Sequence, residues 1–256
     1  MSADVVRLAD VRAARATPAA RPVRLFCFHH AGGSTASFAG WQRRLGSRVE
    51  VVAVRLPERD GPGSGPHRDL AALARALQAQ LGAQLDEPYL CYGHSMGSLV
   101  AYHLVRFLAA TGRRLPQRLL VGAHSAPHLP LPLESALHLD DAWLMRRLAA
   151  FDGLPEAVRS CPDRLAEHLA QVRAGLELCE SRRHTDLSYQ LPCPIDVFAG
   201  ADDPLVAVAD AAAWSEHSMR GGTLQVVPGG HFFQRQSKDA FFTRLAAVID
   251  NHGGVR

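Results

Sequence analysis

Six short runs of the chain are almost continuously apolar: residues 23–28, 49–54, 89–92, 119–123, 195–198 and 224–227. A strand with one wet face alternates apolar and polar side chains, so runs without that alternation need cover on both faces. Stretches with helical spacing lie between them. Leu70, Leu73, Leu77, Leu81 and Leu85 mark a helix over 69–85, and helices are expected over 98–111 and 239–249, with Gly112 stopping the former. Strands alternating with helices predict an α/β protein whose mostly parallel sheet is flanked by helices. No internal repeat or low-complexity linker divides the pattern. A single domain over 22–256 is expected, preceded by a flexible segment, 1–21.

Composition narrows the function. The 256 residues are 47% hydrophobic and 21% charged, which excludes a disordered or fibrous chain. No apolar run approaches the ~20 residues of a membrane-spanning helix, so no membrane association is expected. The N-terminal stretch lacks the apolar core of a secretory signal, and Asp4 and Asp10 argue against a transit peptide. A net charge of +3, spread along the chain, does not make a nucleic-acid surface. Cys27, Cys91, Cys161, Cys179 and Cys193 are widely spaced with no C-x-x-C, which fits a reducing cytoplasm rather than disulfides or zinc. No metal or other cofactor is expected. His29 and His30 would point to opposite sides of an extended chain, and Pro127 keeps His124 and His128 from sharing a helix face.

One interval breaks the rhythm. From His124 to Pro194 is 70 positions, far more than one crossover requires. It opens on the Pro-rich stretch 124–134. Two amphipathic patterns follow, Leu144, Leu148 and Phe151, then Leu165, Leu169, Val172 and Leu176. A helical insertion over about 127–190 is expected to lie on top of the sheet as a lid.

The chemistry centres on Gly93-His94-Ser95-Met96-Gly97. The five residues follow a strand-like run and open a helical one, the strand–turn–helix context of a nucleophile elbow. There Ser95 is the candidate nucleophile, and the following helix turns its positive end toward developing negative charge. His94 is expected to face away and pack. An acid and then a histidine should follow in the chain. Run 195–198 ends in Ala199-Gly200-Ala201-Asp202-Asp203, and run 224–227 ends in Pro228-Gly229-Gly230-His231. Asp203 is favoured as the acid because it precedes the Pro-Leu-Val that re-enters structure, leaving Asp202 to satisfy turn amides. His231 alone among the histidines lies in the loop after the last strand. An oxyanion hole needs two backbone N–H groups, one from Met96 after the serine. The other is assigned to Ala31, in the loop His29-His30-Ala31-Gly32-Gly33 after the first strand.

These pieces resemble the type II thioesterases that accompany polyketide synthases and nonribosomal peptide synthetases, which have the α/β-hydrolase fold. The resemblance rests on Leu-Phe-Cys-Phe-His-His-Ala-Gly-Gly (25–33), Val-Arg-Leu-Pro (54–57), Gly-His-Ser-Met-Gly (93–97), Phe-Ala-Gly-Ala-Asp-Asp (198–203) and Pro-Gly-Gly-His-Phe-Phe (228–233). It implies Ser95 as nucleophile, His231 as base, Asp203 as its partner, and Met96 and Ala31 as oxyanion donors. It also implies a monomeric enzyme that edits acyl groups on the phosphopantetheine arm of acyl or peptidyl carrier proteins. Three residues depart from the pattern. His29 stands where proline is usual, Glu58 where glycine is common, and Gly175 where the lid often has aspartate; the last two are expected to affect substrate access. The position after the fourth run reads His124-Ser125-Ala126 with no carboxylate, unlike many thioesterase domains fused to synthases. A carboxylester hydrolase, an acyltransferase with the same triad, or a non-catalytic acyl-binding protein are the alternatives. The lid pattern offers chiefly Leu, Ala and Val, which implies graded selectivity among acyl chains. The lid pairs Arg146-Arg147 and Arg182-Arg183 are expected to steer an acidic carrier.

Overall fold

The computed structural model describes residues 21–59, 63–131, 140–184 and 188–250. Its strands are β1 (Val23–Phe28), β2 (Val49–Ala53), β3 (Tyr89–His94), β4 (Leu119–Gly122), β5 (Ile195–Gly200) and β6 (Leu224–Val227). They form one parallel sheet in the order β2-β1-β3-β4-β5-β6. Each matches its apolar run to within two residues at either end. β3 and β5 are buried at every position, as unalternating runs require. The polar exception in β5 is Asp196. Its carboxylate lies 2.7 and 2.9 Å from Arg118 and accepts from the amide and hydroxyl of Thr223, so the buried charge is paired.

The helices are α1 (Trp41–Leu45), α2 (Leu70–Leu81), α3 (Met96–Ala110), α4 (Asp141–Ala149), α5 (Glu156–Arg159), α6 (Pro162–Glu180), α7 (Val208–Ala212), α8 (Phe233–Gln236) and α9 (Lys238–Asp250). Asp69 caps α2 by accepting from the Ala72 amide at 2.7 Å, and a 3-10 turn, Gly82–Leu85, completes the expected 69–85 segment. α3 starts at Met96, two residues earlier than the sequence suggests, because the chain pivots at Ser95 itself.

One face of the sheet packs Phe26, Tyr89 and Val121 beneath α2 and α3, and the other packs Tyr92, Phe198 and Trp41 against α9. A third cluster joins Leu144, Leu148 and Phe151 to Leu169 and Val172 and to Phe232, beside His231. The two amphipathic patterns are therefore α4, with the turn after it, and α6. The parallel strands deliver Ser95, His124, Asp203 and His231 to the loops at one edge, just past the carboxyl ends of β3, β4, β5 and β6. The N-terminal segment lies outside the described residues apart from Arg21, which pairs with Glu87 at 3.0 Å. Residues 132–134 of the Pro-rich stretch and 185–187 of the insertion also lie outside them. Among the described residues no helix is long and apolar enough to cross a membrane.

Candidate active site

Ser95 adopts φ +54° and ψ −121°, a conformation that L-residues seldom take. Such a backbone costs of order 1–3 kcal/mol and persists only where the surroundings fix it. The Ser95 amide donates to the Gly122 carbonyl at 2.7 Å. The Ser98 hydroxyl lies 3.0 Å from the Gly93 and Gly122 carbonyls and accepts from the Gly122 amide at 3.2 Å. A Cβ on Gly93 would lie 2.1 Å from the Gly97 carbonyl oxygen, and one on Gly97 2.1 Å from that of Phe28. Both glycines are required by close backbone approach.

Three side chains from three loops then meet. His231 Nε2 lies 3.0 Å from Ser95 Oγ, and His231 Nδ1 lies 2.9 Å from Asp203 Oδ2. With Nδ1–H donating to the carboxylate, Nε2 is left as the acceptor for the serine proton. The His231 and Asp203 side chains are almost fully buried, at 4% and 1% exposure. Asp203 Oδ1 also accepts from the amides of Leu205 and Val206 at 2.9 and 3.3 Å. This corrects the expectation that Asp202 would hold the turn amides. The turn at Pro204 folds the following amides back onto the Asp203 carboxylate, and Asp202 is exposed.

His94 does more than pack. Its Nε2–H donates to the His231 carbonyl at 3.0 Å, so its Nδ1 must accept from the Tyr92 hydroxyl, also at 3.0 Å. Burial holds its pKa well below the ordinary histidine value, and the ring stays neutral. It ties the loop that delivers His231 to the strand that delivers Ser95. Nothing in the sequence marks this bond, because its acceptor is a backbone atom 137 positions away. Phe151 and Phe232 pack edge-on against His231, with centroids 5.4 and 5.2 Å away.

Met96 opens α3 and Ala31 lies in the loop after β1, and both line the same cavity as Ser95. Neither amide donates to another group among the described residues. Gly175 of α6 sits directly on them: a Cβ there would come within 2.6 Å of Ala31 Cβ and 3.0 Å of Met96 Sδ. The departure at Gly175 therefore reaches the loop after β1 and the start of α3, not only the way into the cavity.

The Ser95 cavity measures about 60 Å³, and its walls include Leu148, Phe151, Val172, Leu176 and Leu205. A second cavity of about 510 Å³ adjoins it at Met96 and is lined by His29, Arg55, Glu58 and His67. His29 belongs to this second space and donates from Nδ1 to the His30 carbonyl at 2.9 Å. Glu58, the second departure, lines the same space and accepts from the Gly63 amide. His30 lines the Ser95 cavity, and its pKa is pushed down to about 3 by burial and then by the charge of Arg235. Arg182 is buried and donates to the Leu129 carbonyl at 2.8 Å, so the pair it forms with Arg183 does not present two cations to a partner. Arg146 is exposed and Arg147 half-buried.

Comparison with known proteins matches residues 23–251 to the thioesterase domain. The chain belongs to the thioesterase domain family. It is 31% identical to the linear gramicidin dehydrogenase LgrE of Brevibacillus parabrevis over 90% of this chain and 87% of that one. Among solved structures it is similar to RedJ, a thioesterase from the prodiginine biosynthetic pathway of Streptomyces coelicolor. That match has 33% identity and a TM-score of 0.78 and covers 90% of this chain and 91% of RedJ. The type II thioesterase BorB from the borrelidin biosynthetic cluster matches with 33% identity and a TM-score of 0.76, over 89% of this chain and 94% of BorB. The α/β-hydrolase fold and the thioesterase class read from the sequence are those of this family.

Proposed function

We propose that this chain hydrolyses acyl thioesters from the phosphopantetheine arm of acyl or peptidyl carrier proteins, as an editing enzyme of polyketide or nonribosomal peptide biosynthesis. It acts as a cytoplasmic monomer without a cofactor. The observation that carries the reading is the Ser95–His231–Asp203 chain of hydrogen bonds opening into a small apolar cavity. Family membership narrows the ester type from oxygen to sulfur.

In this reading Ser95 Oγ attacks the thioester carbonyl carbon while its proton passes to His231 Nε2. Asp203, already bonded to Nδ1–H, stabilises the imidazolium. The carbonyl oxygen becomes an oxyanion and accepts from the Met96 and Ala31 amides, at the positive end of α3. The C–S bond breaks, and the imidazolium returns its proton to the departing thiolate. A thiol of pKa ~8.5 leaves readily, so this step asks little of the acid. Water then attacks the acyl-serine as His231 takes its proton, and the Ser95 hydroxyl is restored with release of the acid.

The acyl group occupies the smaller cavity, and the pantetheine arm enters through the larger one. The helices α4–α6 form the lid. They supply Leu148, Val172 and Leu176 to the acyl cavity and close Gly175 over the oxyanion loop. A single domain completes the organisation. The exposed Arg146 and its neighbour Arg147 remain as steering charges for an acidic carrier.

A paired assay separates this from a carboxylester hydrolase. An acyl-pantetheine and its oxygen-ester analogue, matched in chain, should differ by at least 10² in kcat/KM in favour of the thioester. Equal values would assign a general esterase.

A further inference from the structure

The wall of the Ser95 cavity is not uniformly apolar. His124 and Glu180 both line it, one from the loop just past β4 and the other from the last residue of α6. His124 is 95% buried, and its Nδ1 lies 2.6 Å from the Ser125 carbonyl oxygen. A carbonyl can only accept, so Nδ1 carries the proton and Nε2 is a bare lone pair. Burial pushes the His124 pKa down to about 4, so that lone pair stays unprotonated at neutral pH. Nε2 makes no hydrogen bond with the described protein, yet it is not among the side-chain atoms sealed away from solvent. It therefore opens into the cavity that His124 lines.

Glu180 is half-buried at the same wall and forms neither an ion pair nor a hydrogen bond among the described residues. Arg182, two positions on, is turned to the Leu129 carbonyl instead. Two acceptors thus share one small cavity with Ser95, and neither receives a hydrogen bond from a described residue, although the Arg182 charge acts on both. A ligand that carries a donor pairs with such an acceptor in place of water. A plain alkyl chain does not.

We propose that this cavity selects acyl groups carrying a hydrogen-bond donor, an amine or a hydroxyl, which donates to His124 Nε2 and the Glu180 carboxylate. The proposal rests on the hydrolase reading above. The two residues act as specificity determinants, and neither takes part in the bond-breaking steps. An ammonium draws on the Glu180 charge, whereas a hydroxyl is served by either acceptor.

The test uses N-acetylcysteamine thioesters of butyrate, 2-aminobutyrate, 3-aminobutyrate and 3-hydroxybutyrate. The readout is each donor-bearing substrate's kcat/KM relative to butyrate, taken within one enzyme so that changes in overall activity cancel. In the wild-type chain at least one donor-bearing thioester should exceed butyrate tenfold or more. In Glu180→Gln, which keeps an acceptor oxygen but loses the charge, the ratio for an amine should fall further than that for the hydroxyl. In His124→Phe the preferences should collapse toward one. Ratios below tenfold in the wild type, with butyrate still hydrolysed, would overturn the proposal and leave the hydrolase reading intact. Preferences that persist in both variants would also overturn it. Hydrolysis of none of the four by the folded protein would overturn the hydrolase reading itself, and the proposal with it.

Discussion

Asp203 uses its two carboxylate oxygens differently, one bonded to His231 and the other to the amides of its own turn. Replacing it with asparagine preserves an acceptor for the turn but turns an NH2 toward His231 Nδ1. The imidazole then places its proton on Nε2 and can no longer receive one from Ser95. Asp203→Asn should fold with an unchanged melting temperature and lose about 10⁴ in kcat, the scale of the corresponding change in a serine protease. Asp202→Asn should stay within about threefold of wild type, because the side chain is exposed and bonds to nothing in the site. Steady-state kinetics on a small acyl thioester reads both, and the reverse ranking would move the acid to Asp202. The sequence favours Asp203 because Pro204 fixes where the chain turns, and the Asp203 carboxylate is the one that lies 2.9 Å from His231 Nδ1. The turn amides expected at Asp202 fold back onto Asp203 instead. His94 shows the same limit: a side chain bonded to a distant carbonyl leaves no trace in residue type or spacing.

The strands and the helices α4–α6 differ in how much the sequence revealed of them. The apolar runs mark all six strands almost to their ends, but only β3, β4 and β5 are buried at every position, while the edge strands β2 and β6 keep exposed residues that the runs alone did not foretell. For α6 the spacing of Leu165, Leu169, Val172 and Leu176 gives the helix and its inner face, but not the surface that face meets. That surface includes Ala31 in the loop after β1, and Gly175 is the point of contact. Gly175→Ala must displace either α6 or Ala31, because a Cβ centred 2.6 Å from another carbon cannot be accommodated. The expected outcome is a fall of tenfold or more in kcat on a small acyl thioester, with α6 still helical by circular dichroism. A variant with wild-type kcat would show that α6 and the loop after β1 move independently. The arginine pairs teach the converse lesson: Arg182 and Arg183 are adjacent, but Arg182 is buried and bonds to the Leu129 carbonyl, so adjacency in the sequence does not make a surface of two cations.

Among the described residues six histidines are held neutral chiefly by loss of hydration, and burial lowers the pKa of His29. The pKa of His30 is pushed to about 3, those of His103, His124 and His217 to about 4, and that of His94 well below its ordinary value. In the unfolded chain each binds a proton near pH 6.5. Below that pH the unfolded state gains protons that the folded state refuses, so stability is full above about pH 6.5 and declines as pH falls toward 4. Below about pH 4 the three groups with pKa near 4 protonate in the folded state too, and their share of the decline levels off. Calorimetry should show a flat melting temperature above pH 7 and a steep fall between pH 6.5 and 4. A melting temperature constant to pH 4.5 would mean these rings are hydrated in the folded protein. The count of thirteen histidines is plain in the sequence, but which of them are buried is set by the packing of the whole sheet and its helices.

The role of Ser95 is open to direct observation with a propionyl-phosphopantetheinyl carrier protein. Intact mass spectrometry should show the carrier losing its acyl mass to the free-thiol form with the wild-type chain but not with Ser95→Ala. A transient propionyl adduct should map to the peptide containing Ser95. A carrier that keeps its acyl group, or an adduct on Ser34 or Ser98, would contradict Ser95 as the nucleophile of a carrier-protein thioesterase.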